Sequence, residues 1–271
     1  MLGKLIKHQT KSVYRILLLV HAAVLLLAVI GSVFTFFVDA ENFAASVLTG
    51  MIGIMYILTL MFAFFSTQYV MVSRFYKSMY TDEGYLTHTL PVKTWQHLLS
   101  NTIVYFAAIV LDIVILTLSI LILARPSGIL DLGADLMPAM RMASAALGIS
   151  VPVLILCIFG IIIISLLYII GMFYMSLSVG SLFPSHKIMA SVIVYVILYI
   201  AMQTVGLITI AVAPWTHAMV NADPNNVLQM TSGIIQFVKG LLGFDIILMG
   251  GGTIIYFAVT HFIMSRKLNL Q

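Results

Sequence analysis

The chain reads as an all-α polytopic membrane protein with six transmembrane helices, N and C termini cytoplasmic, and an N-terminal interfacial amphipathic helix. Three observations predict this. Of the 271 residues, 62% are hydrophobic and only 8% charged, against about 25% charged in an average soluble chain, too few to cover a water-facing surface. Apolar stretches long enough to cross a bilayer core, which takes about 20 residues, recur from one end to the other with no soluble block between them. A single transmembrane domain over residues 1–271 accounts for that spread. The 13 Lys and Arg are divided unevenly between alternate connections.

Met1 to Arg15 carries Lys4, Lys7, Lys11 and Arg15, with Leu2, Leu5, Ile6 and Val13 at near-helical spacing between them. That pattern predicts a short helix in the headgroup plane. The following apolar run, about Ile16 to Val38, is too long for a signal-peptide core and has no small-residue cleavage site, so it reads as the first span. Asp39, Glu41 and Asn42 make an acidic return. The second span starts near Phe43 and stays uncharged to Ser73, longer than the hydrocarbon thickness requires.

Residues 74–101 form the most polar insert of the chain. Its centre, Thr81 to Pro91, holds Asp82, Glu83, Gly84 and Tyr85, with Arg74, Lys77 and Lys93 on either side. Gly84 is expected to stop the protruding end of the second helix, since glycine accepts the left-handed conformation of a helix C-terminus. Pro91 disfavours helical geometry at Leu90 and can open a new helix.

The third span covers about Thr102 to Ala124 and ends at Arg125 and Pro126. Ser127 to Leu147, with Asp131, Asp135 and Arg141, reads as a loop with a short surface helix. The fourth runs from about Gly148 to Ser178, with Pro152 in its tolerated first turn. After a brief polar connection to Lys187 comes the fifth, about Ile188 to Trp215, whose tryptophan suits an interface. Residues after it are polar around Asn221 to Asn226 and then apolar. The sixth span, about Leu241 to Met264, contains Gly250, Gly251 and Gly252 and is followed by Ser265, Arg266 and Lys267.

Orientation follows from the basic residues, which are in excess on short loops left in the cytoplasm. Lys4, Lys7, Lys11, Arg15, Arg74, Lys77, Lys93, Lys187, Arg266 and Lys267 fall on one side, ten of the 13; Arg125, Arg141 and Lys239, the other three, fall opposite. Residues 74–101 are then cytoplasmic.

Several functions are disfavoured. The basic residues are scattered, without the clustered face that phosphate neutralisation needs, so nucleic acid is not the expected partner. The one cysteine, Cys157, offers neither a disulfide nor a metal site and reads as a small buried hydrophobe. The sequence has no Gly-x-x-x-x-Gly-Lys-Ser/Thr loop, no His-Glu-x-x-His pair and no Gly-x-Ser-x-Gly elbow, and its seven histidines show no i, i+4 ligand spacing. No catalytic, metal or cofactor residue is therefore assigned, and the chain is not expected to be an enzyme.

Within the spans, three polar residues stand out. Asp112 is the acid nearest a helix centre, costing at least about 2.5 to 3.5 kcal/mol to place there, so it must face the bundle interior or a partner. It either lines a substrate path or proton relay, or is a structural carboxyl hydrogen-bonded to Gln203 or a serine. His21, lower in the first span, could bond a neighbouring helix. The triple glycine permits close packing or a gating bend.

Taken with Leu2-Gly3-Lys4-Leu5-Ile6-Lys7, with Phe75-Tyr76-Lys77 before Asp82-Glu83-Gly84-Tyr85-Leu86 and Leu90-Pro91-Val92, and with the ending Arg266-Lys267-Leu268-Asn269-Leu270, the chain resembles the membrane (permease) subunits of type 2 ABC transporters. The likeness is to the compact six-helix exporters of Gram-positive bacteria. It implies that residues 2–12 are an interfacial connecting helix, and that Asp82, Glu83, Gly84, Tyr85, Leu86 and Pro91 belong to a coupling element docking on a separate ABC ATPase subunit. It also implies a second permease, identical or homologous, in the plasma membrane, with ATP and Mg bound on the ATPase, and a short outer helical element within residues 226–239. The substrate would be hydrophobic or amphipathic. The alternative is a stand-alone secondary transporter or membrane scaffold with no ATPase, which would place functional polar groups at the bilayer midplane.

Overall fold

A computed structural model describes residues 2–37, 43–89, 91–124, 132–223 and 226–266. The described residues form helices and turns, with no strand among them. The helices are α1 (Leu2–Phe37), α2 (Phe43–Tyr80), α3 (Asp82–Thr89), α4 (Thr94–Ala124), α5 (Leu132–Leu147), α6 (Val151–Gly180), α7 (Lys187–Val212), α8 (Pro214–Val220) and α9 (Val227–Arg266). Six of them, α1, α2, α4, α6, α7 and α9, are long and apolar enough to cross a membrane, and the protein is a multi-pass membrane protein on that ground. The acidic return at Asp39, Glu41 and Asn42, the stop at Arg125 and Pro126, Asp131, Leu90 and the ending Lys267 to Leu270 lie outside the described residues.

The helices run past the ends that the charges suggest. The first is unbroken for 36 residues, so residues 2–15 are its first turns, not a separate element. The second continues through Arg74 and Lys77 to Tyr80, and α4 begins at Thr94, not Thr102. The last is one helix of 40 residues, so the expected outer element and sixth span are continuous. Charged side chains leave the hydrocarbon without leaving the helix, because Lys and Arg are good helix formers; none of these segments contains a proline to remove an N–H or clash with the preceding turn. Proline does act at the end of α7, whereas Pro138 sits inside α5 without ending it. Pro214 drives Ala213 to an extended conformation (φ −68°, ψ 139°), ends α7, and puts Trp215 on α8.

Two compact units divide the chain, residues 1–134 and 135–269, each with three of the long helices. In unit 1, α1 packs along α4, α2 packs on both, and α3 packs on the end of α2. With no hydrophobic drive between helices in lipid, close approach rests on small residues. Ala28, Ala63 and Ala108 are buried on these faces, and a Cβ on Gly31 would stand 2.7 Å from the Leu123 side chain.

In unit 2, α6 packs on both α7 and α9, and α8 on α9. Gly180 lies so close to α7 that a Cβ would come within 2.5 Å of the Ser191 backbone. Gly171 faces Tyr256 and Phe257, Gly252 faces the Tyr168 ring, and the Tyr256 hydroxyl donates to that of Tyr168 at 3.3 Å. Gly250 and Gly251, in contrast, have nothing near them, so only the third glycine of the triplet makes a packing contact. Gly148 is the left-handed residue (φ 70°) that closes α5, with the Ile149 N–H returning to the Ser144 carbonyl at 3.0 Å; it is not the start of a span. Cys157 is exposed on α6, not buried: it falls on the outward side of an apolar helix.

Candidate functional site

Polar side chains in the middle of α2 meet polar side chains of α4 at several levels. Tyr56 and Ser119 share a hydroxyl hydrogen bond of 2.7 Å, Thr67 reaches Asp112 at 3.4 Å, and the Tyr105 hydroxyl donates to the Gln68 amide oxygen. As position rises along α4 it falls along α2, the register of antiparallel helices. A ladder of this kind gives each polar group a partner that lipid cannot supply.

The centre of the ladder is Asp112, 0% exposed, and its main partner is on α1: His21 Nε2 lies 2.9 Å from Asp112 Oδ1. The helix fixes the tautomer. His21 Nδ1 is 2.6 Å from the Leu17 carbonyl, one turn back, and a carbonyl only accepts, so Nδ1 carries a proton. Nε2 and Oδ1 therefore share a single further proton, held as an imidazolium–carboxylate pair or a neutral imidazole–carboxylic acid pair. Asp112 Oδ2 is buried with no partner among the described residues. Gln203 is exposed on α7, and in place of the expected Gln203 or serine it is His21 and Thr67 that serve Asp112 within unit 1. Sequence reasoning marked His21 and Asp112 separately and passed over Thr67, whose signal was its place with Gln68 inside an apolar helix.

His21 also lines an apolar groove of about 580 Å³ between α1 and α4, bounded by Ile6, Val13, Leu17, Leu25, Met71, Val104, Leu111 and Ile115 among others. A volume in this range is ordinary for a small-molecule site.

The second cluster surrounds α3. Tyr80 ends α2, Thr81 bends the chain, and α3 starts at Asp82 with its two acids in the first turn, where the helix dipole favours them. The Gly84 N–H donates to the Thr81 carbonyl at 2.7 Å, and a Cβ at Gly84 would lie 2.7 Å from the Met79 carbonyl carbon and oxygen. Glycine is thus required here for close backbone approach, and the expected left-handed stop is not formed: among the described glycines only Gly148 has that conformation. Arg74 Nη1 donates to Glu83 Oε2 at 3.0 Å, tying α3 back to α2. Asp82, Tyr85 and Leu86 are exposed beside this tie, the last two by 62% and 68%. Pro91 to Lys93 then leads directly into α4. Beneath α3 lies a polar cavity of about 420 Å³ lined by His8, Gln9, Arg74, Ser78, Glu83, Thr87 and His97, with Leu5 and Leu86.

No group of three or more His, Cys, Asp or Glu side chains that could hold a metal ion occurs among the described residues. Compared with protein families, with curated proteins and with solved structures, the chain has no significant match.

Proposed function

We propose that the chain is the permease subunit of a bacterial ABC exporter, moving a hydrophobic or amphipathic molecule such as a peptide, drug or lipid-like compound across the plasma membrane. Both termini face the cytoplasm, ATP and Mg act on a separate ATPase, and a second permease, identical or homologous, completes the pathway. The observation that carries this reading is α3. An eight-residue helix with exposed Tyr85 and Leu86 is clamped to α2 by the Arg74–Glu83 pair and joined to α4 through Pro91. A push on α3 from a bound partner would reach both long helices, which is what a coupling contact requires. The exposed tyrosine is a residue type that anchors such contacts, and Leu86 adds apolar area beside it.

Expression of the native operon, with affinity capture of this chain in mild detergent, tests the reading. An ATPase subunit should co-purify from the wild type and be lost from Tyr85→Ala/Leu86→Ala; capture without any ATPase overturns the proposal. The second reading, a secondary transporter, is favoured by the His21–Asp112 pair, which can hold a proton deep in unit 1. Uptake or efflux in proteoliposomes that follows an imposed proton gradient and ignores ATP would select it.

A further inference from the structure

The polar cavity and the apolar groove lie on the same faces of the same helices. On α2, Met71 lines the groove, and Arg74 and Ser78, one and two turns on, line the cavity; on α4, Val104 lines the groove and His97, two turns earlier, the cavity. Val13 and Gln9 on α1 stand in the same relation. The cavity is thus the polar continuation of the groove at the end of unit 1 that carries the basic residues.

Two buried polar atoms on residues that line the cavity have no partner among the described residues. Arg74 Nε has no partner, although Nη1 donates to Glu83, and Gln9 Oε1 has none on a residue only 8% exposed. Buried groups of this kind are costly and rare, and a donor and an acceptor on the walls of one cavity call for a ligand that offers the reverse. The groove supplies the other half of the description. From Thr10 to Leu25 it follows α1 for about 22 Å, more than the ~15 Å that one leaflet contributes to the hydrocarbon core. Its walls are apolar apart from the Thr10 and Tyr14 hydroxyls and His21, whose two ring nitrogens are already engaged. Leu18 and Leu111 on its rim are exposed, so a chain can enter sideways from the bilayer. Lys7 and Lys11, exposed and one turn apart, stand at the polar end.

We infer that unit 1 holds one bilayer phospholipid of the phosphatidylglycerol kind, with an acyl chain in the α1–α4 groove, its phosphate accepting from Arg74 Nε and a headgroup hydroxyl donating to Gln9 Oε1. A choline headgroup has no donor for Gln9 and brings a positive charge toward Arg74. The phosphate brings a second negative charge beside Glu83 on the same guanidinium, and that repulsion loosens the tie between α2 and α3. The site belongs to this chain alone and does not depend on whether an ATPase drives it.

The test is native mass spectrometry of the full chain released from nanodiscs of equal phosphatidylglycerol and phosphatidylcholine. One phosphatidylglycerol should be retained in preference to phosphatidylcholine by about tenfold, the equivalent of one extra charge-assisted contact. Ala107→Phe, at an exposed groove position, should abolish that retention, while Val110→Phe, exposed on the same helix outside the groove, should not. Arg74→Gln should bring retention down to the bulk ratio, and Glu83→Gln, which frees the guanidinium, should raise it. Retention of the two lipids in bulk proportion by the wild type overturns the inference, as does equal loss in the two phenylalanine variants, or weaker selectivity in Glu83→Gln.

Discussion

His21 and Asp112 are separated by 91 positions and meet at 2.9 Å with both side chains buried, binding the first membrane helix to the third. Because the Leu17 carbonyl commits Nδ1 as a donor, neither residue can satisfy itself alone. Replacing one leaves the other buried and unmet. His21→Leu and Asp112→Leu should each lower stability by about 1 to 3 kcal/mol, the cost of an orphaned buried polar group. The double variant His21→Leu/Asp112→Leu should lose less than the two single losses combined, since it strands nothing. Thermal unfolding of the four proteins in one detergent gives this cycle; additive losses would mean that the contact carries no coupling energy.

The junction of α2 and α3 makes a prediction whose sign opposes helix propensity. Alanine normally stabilises a helical position relative to glycine by about 1 kcal/mol. At Gly84 the new Cβ would meet the Met79 backbone at 2.7 Å, and backbone cannot swing aside. Gly84→Ala should therefore destabilise the junction by about 1 to 2 kcal/mol, seen as faster amide exchange across residues 81–89 with the α4 amides unchanged. Exchange equal to or slower than wild type would show that the close approach is not real.

The exposed face of α3 predicts a separation between stability and assembly. Tyr85 and Leu86 touch little in the chain itself, so Tyr85→Ala and Leu86→Ala should change the unfolding midpoint by no more than about 0.5 kcal/mol allows. If they anchor a partner, each should weaken its binding by about tenfold or more. Surface-plasmon titration of the captured chain with the proposed ATPase partner measures this. Unchanged affinity in both would remove α3 from the interface.

The six spans were legible because an apolar run of sufficient length has few other uses, and the excess of basic residues on one side gave an expected orientation. Helix ends were not legible for a physical reason. Arg74 and Lys77 mark where α2 leaves the hydrocarbon, yet its hydrogen-bond ladder continues to Tyr80, and α4 is already helical eight residues before Thr102. Depths counted from the expected span starts, Ile16 and Thr102, then put His21 and Asp112 at different levels, which hid their pairing. A hydrogen bond across 91 residues has no periodicity to betray it. Gly84 was expected as a left-handed stop and is instead a close-approach glycine, because a sequence does not distinguish a glycine needed for its dihedral freedom from one needed for lack of a Cβ.

That distinction decides what the glycines of unit 2 should do. Gly250 and Gly251 open onto empty space, so Gly250→Ala and Gly251→Ala should be neutral or stabilising by up to about 1 kcal/mol each through propensity. Gly252→Ala must displace the Tyr168 ring, at 2.7 Å from the new carbon, and with it the Tyr168–Tyr256 hydrogen bond. Gly180→Ala is more severe, since its Cβ would fall within 2.5 Å of the Ser191 backbone and force α6 and α7 apart. The expected order of thermal stability is Gly251→Ala at or above wild type, then Gly252→Ala, then Gly180→Ala lowest, with the last losing about 2 kcal/mol or more. A gating bend at the triplet predicts something else: transport lost in Gly250→Ala or Gly251→Ala at full stability. Measuring transport and unfolding on the same variants separates a packing role from a hinge, because only a hinge loses function without losing stability.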